Sequence, residues 1–90
     1  MFRYKPAIPL SYDRQGYVHF QSRLYAELSE KDRARIRKLC QEAAGQHWRA
    51  LLEFVTTDNG ATRIEQKYYV SRATLYRYLQ KYYVMFPKKL

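Results

Sequence analysis

The sequence predicts an all-α domain, a small helical bundle preceded by an extended or hairpin-forming N-terminal arm. Ninety residues leave room for one core only. Apolar residues recur at helical spacing in two stretches after Ser29. The last third reads as two more helices around a tight turn at Tyr69-Val70. The expected division of the single domain 1–90 is an arm or hairpin over 1–28, a two-helix support over 29–60 and a helical pair over 61–86.

In the arm, Pro6 and Pro9 disfavour helix at the residues before them, so Tyr4 to Leu10 is expected to be extended. Asp13-Arg14-Gln15-Gly16 has the Asp-first, Gly-last pattern of a type I turn, and Tyr17-Val18-His19-Phe20 is rich in strand formers. Together they predict a short β-hairpin. Leu24, Tyr25 and Leu28 fall at helical spacing, in a segment too short for periodicity to decide.

Ser29 is a strong helix start. Asp32 follows three residues on, and Glu30 and Asp32 place negative charge at the positive end of the helix dipole. Ile36, Leu39, Cys40 and Ala43 form one buried stripe, with Arg33, Arg35, Arg37 and Lys38 on the other, solvated faces, and Gly45 ends the helix. Trp48, Leu51, Leu52 and Val55 begin a second stripe that Asp58-Asn59-Gly60 stops. The last third then gives a short helix at about 61–68 and a longer one at about 72–85, with Ser71 as its cap and Pro87 just past its end.

Charge narrows the function classes. The chain carries 17 basic and 8 acidic residues, a net +9, which favours a polyanionic partner. Residues 61–90 hold seven basic groups and one acid, so most of the excess lies in the last third. Enzymatic chemistry is not expected. Cys40 is the only cysteine and sits on an apolar helix face, so it reads as a core residue in a reducing compartment. No zinc spacing or phosphate-binding glycine loop occurs, and His19 and His47 stand apart from any cluster, so no metal or cofactor is expected. Tyr68-Tyr69 and Tyr82-Tyr83 read as packing residues rather than strand-nicking nucleophiles, which need companions that this chain lacks. The start carries no apolar run suited to a signal peptide and no later run suits a membrane span, so the reading places the protein in the cytoplasm.

The stretch Val70-Ser71-Arg72-Ala73-Thr74-Leu75-Tyr76-Arg77-Tyr78-Leu79 carries the most specific pattern: an apolar turn residue, a capping Ser, two outward residues, a Thr and a buried aliphatic. Over about 61–79 it resembles the helix-turn-helix of bacterial and phage regulators and of the resolvase and invertase DNA-binding domains. It departs from that pattern at Glu65, where a small residue is usual, and at Tyr69, where Gly is usual. The resemblance implies sequence-specific binding of double-stranded DNA, as a transcriptional regulator or a mobile-element accessory factor. Ile64, Val70, Leu75, Tyr78 and Leu79 would form the motif core. Arg72, Ala73, Tyr76, Arg77 and Gln80 would face base edges. Ser71, Thr74, Lys67, Lys81, Lys88 and Lys89 would hold phosphates. Such readers are often homodimers. Two alternatives stay open: a protein-interaction module or inhibitor on the same scaffold, and a sequence-indifferent nucleic-acid binder that stacks bases on tyrosines.

Overall fold

Five helices make up the computed structural model, which describes residues 2–90. They are α1 (Tyr12–Arg23), α2 (Glu30–Ala44), α3 (Trp48–Thr56), α4 (Ala61–Tyr68) and α5 (Arg72–Met85), with single 3₁₀ turns at Tyr25–Glu27 and Gly45–His47. Three helices begin on a serine whose hydroxyl accepts a backbone N–H from the first turn: Ser11 from Arg14, Ser29 from Asp32 and Ser71 from Thr74. Gly45 ends α2 at φ 56°, a left-handed value that glycine adopts without a Cβ penalty. No helix is long and apolar enough to cross a membrane among the described residues.

The N-terminal region corrects the sequence expectation. There is no β-hairpin: the segment read as turn and strand, 13–20, lies inside α1, and no strand occurs among the described residues. Asp13 is a first-turn residue behind the Ser11 cap, where its charge complements the helix dipole. Helix α1 packs into the bundle against α3. The face α1 buries is Gln15, Val18 and Ser22, at i, i+3 and i+7, so two of its three buried residues are polar. An apolar stripe could not reveal it. Only residues 2–10 remain an irregular arm.

The polar groups that α1 buries are fully paired. The Gln15 side chain accepts the Lys5 backbone N–H at 2.9 Å and donates to the carbonyls of Lys5, Ile8 and Leu10 at 3.0–3.2 Å. One amide thereby clamps the arm. Ser22 Oγ donates to Val18 O at 2.7 Å, so in its 2.7 Å bond with Tyr82 it is the acceptor of the phenol proton.

Helix α3 lies at the centre, packed against each of the other four helices. The main core joins Val18, Ile36, Cys40, Leu51, Val55 and Leu79 to the inward rings of Tyr82, Tyr83 and Phe86. A smaller core of Ala50, Ile64, Val70 and Leu75 lies under α4 and α5, and Phe54 and Tyr78 pack against both. Burial raises the Cys40 thiol to about 12, so it packs as a small apolar group.

Candidate nucleic-acid interface

Helices α4 and α5 are joined through Tyr69, Val70 and Ser71. Tyr69 takes the left-handed conformation (φ 57°, ψ 42°) that closes α4, and its N–H donates to Glu65 O at 2.8 Å. Its ring is 92% exposed. Val70 turns inward, and Ser71 opens α5 with Oγ accepting from Thr74 N and donating to Thr74 Oγ1 at 2.9 Å. Ile64, Val70, Leu75 and Leu79 are buried, while Tyr78 is half-buried, its hydroxyl 2.8 Å from His47 Nδ1.

With Leu75, Leu79, Tyr82 and Tyr83 inward, α5 turns Ala73, Arg77, Gln80, Lys81 and Val84 outward. The expected base-reading residues divide within this arrangement. Arg77 and Lys81 make no hydrogen bond or ion pair with any described residue, and α5 itself contains no carboxylate. Arg72 is already engaged: it donates to Glu65 Oε1 at 3.0 Å and to Thr62 Oγ1 at 2.6 Å, a strut between α5 and α4. Glu65 thus replaces the small residue of the resembled pattern with an ion pair to Arg72 across the crossing. Tyr76 stands at the edge of the buried face, with its ring edge-on to Phe54 at 5.8 Å.

Other expected site residues are already engaged within the protein or lie away from the start of α5. Lys67 pairs with Glu53 Oε1 at 2.8 Å and ties α4 to α3. Gln80 donates to Ala7 O at 3.1 Å, so its amide holds the arm. Lys88 and Lys89 lie beyond the far end of α5, on a tail fixed to α1 by Arg14, whose guanidinium donates to the carbonyls of Phe86, Pro87 and Lys88. A 14-residue helix is about 21 Å long, so these lysines are separated from Ser71 and Thr74 by the length of α5.

The sequence reading missed the arm as part of this surface. Arg3 to Ile8 run along the flank of α5, opposite Ala73, Tyr76, Arg77 and Gln80, across an open groove of about 580 Å³. On the other side of Arg3 and Lys5 is a cleft of about 330 Å³ that also receives His19 and Arg23 from α1. The basic residues were visible in the sequence, but a hairpin arm gave no reason to set them beside α5.

Comparison with protein-family models, curated proteins and solved structures gives no match for this chain.

Proposed function

We propose that the chain binds double-stranded DNA, with α5 entering the major groove, and that it serves in the cytoplasm as a transcriptional regulator or a mobile-element accessory factor. The observation that carries this reading is the outward face of α5: Arg77 and Lys81 are unpaired among the described residues, Ala73 lies one turn before Arg77, and no acid shares the helix. Arg77 can donate two parallel hydrogen bonds to guanine O6 and N7, and the Ala73 methyl suits apposition to a thymine methyl. Ser71 opens α5 toward a phosphate. Arg72 and Gln80 act as supports in the free protein rather than as readers, and Lys81 binds the DNA backbone.

Selection from a random duplex library at physiological salt tests the proposal. A defined sequence is expected. Arg77→Ala should lose about 1–3 kcal/mol and relax preference at particular base pairs. The double change Lys88→Ala with Lys89→Ala should weaken all sequences alike and flatten the salt dependence by about one unit for each phosphate no longer neutralised. A selected sequence that Arg77→Ala leaves intact, or no duplex binding at about 50 mM salt, overturns it.

A second reading has its own support. Val84 and Met85 are exposed, and Val84 lies on the same outward face as Arg77 and Lys81, which favours a protein partner or a second copy of the chain on the C-terminal half of α5.

A further inference from the structure

The cleft beside the arm brings together side chains far apart in the sequence. Arg3 and Lys5 come from the arm, His19 and Arg23 from α1, and the floor is Phe54 at the end of α3 with Leu79 and Tyr83 of α5. Asp58 is the one carboxylate among its described lining residues, and it is paired with Arg23. Arg3, Lys5 and His19 have no acidic partner among the described residues.

Two further features mark a built site. The Lys5 backbone is clamped on both its N–H and its C=O by the buried Gln15 amide, which fixes where the lysine side chain starts. His19 responds to the local field: burial first, and then the charges of Arg23 and Lys5, hold its pKa below the usual histidine value, with Asp58 opposing only in part. Positive charge here exceeds what the protein neutralises.

We infer that this cleft is a phosphate-binding site, in which Arg3, Lys5, His19 and Arg23 receive one phosphate group. A carboxylate is a poorer fit, because four donor side chains from two elements, the arm and α1, offer more hydrogen bonds than the two oxygens of a flat group can accept. The cleft is open, and Tyr76 lines both it and the groove along α5. A phosphate in the backbone of a duplex lying on α5 is therefore the source that the position favours. The inference rests on the DNA-binding reading only for that source, since a free phosphorylated molecule offers the same chemistry.

The test follows the His19 ring protons by NMR titration, with His47 as the internal reference. It uses tripolyphosphate and a short DNA duplex as separate probes, against chloride at equal ionic strength. An anion in the cleft should raise the His19 pKa by about one pH unit. The double variant Arg3→Gln with Lys5→Gln should abolish that rise and weaken tripolyphosphate binding about tenfold. Arg3→Gln alone alters only an exposed side chain and provides the same test if the double variant folds poorly. If both probes shift His19 in the wild type and neither does in the variant, the site stands with backbone phosphate as its source. If only tripolyphosphate does so, the site stands for a small phosphorylated ligand, and the DNA reading fails if the duplex also does not bind. If the duplex binds wild type and variant equally and neither probe moves His19, the inference is overturned while the reading of α5 survives.

Discussion

Tyr69 is held in a left-handed conformation that costs a non-glycine residue about 1–2 kcal/mol, and its exposed ring recovers none of that by packing. Tyr69→Gly removes the strain and adds about 0.5–1 kcal/mol of backbone entropy cost, so a net gain of up to about 1.5 kcal/mol is expected as a raised melting temperature. A lowered one would show that the ring contributes to the fold. The same position shows what a sequence can disclose of a residue. The resembled pattern marks position 69 as a glycine site, and the left-handed turn forms there with tyrosine in place. Arg72 was harder to read. Its outward position was legible, but its partners Glu65 and Thr62 lie on another helix and emerge only once α4 and α5 cross.

Element by element, legibility followed the chemistry of the buried face. Ser29, Gly45 and Ser71 bounded α2 and α5 because caps are local, and the stripe of Ile36, Cys40 and Ala43 was visible because it is apolar. Helix α1 was concealed because Gln15 and Ser22 are polar on the inward side. In the small core under α4 and α5, Leu75→Ala should cost about 2–5 kcal/mol in chemical denaturation, and Ile36→Ala in the main core should cost a similar amount. Leu52, only half-buried, should lose less. A Leu75→Ala variant that unfolds at the parent's midpoint would place Leu75 outside the packing. The junction of α3 with α4 is polar, and Glu53 bridges it. Its carboxylate accepts from Lys67 Nζ at 2.8 Å, the Tyr68 hydroxyl at 2.8 Å and Asn59 Nδ2 at 2.9 Å. The Lys67 bond leads in holding its pKa below 4.5. A depressed carboxyl stabilises the fold above its unfolded pKa and loses that contribution as pH falls through the folded value. Unfolding free energy should therefore decline below about pH 4.5 in the parent, and Glu53→Gln should show a shallower decline. Equal slopes would remove Glu53 from the acid response.

Across the whole molecule, the basic last third was legible as charge, whereas the surface it belongs to was not. That surface depends on the arm lying beside α5, a long-range arrangement set by two glutamines: Gln15 clamps Lys5 to Leu10, and Gln80 holds Ala7. The polar underside of α1 also bears on how the chain reaches this arrangement. Hydrophobic collapse rewards approximate proximity, but the bond from Tyr82 to Ser22, which joins α5 to α1, forms only near final geometry. Helix α1 is thus expected to dock after the rate-limiting step, once α2, α3 and α5 have assembled around Leu51 and Ile36. Ser22→Ala should then shorten the lifetime of the native state, accelerating unfolding while leaving the refolding rate nearly unchanged in stopped-flow chevrons. A slowed refolding limb would instead put α1 in the nucleus.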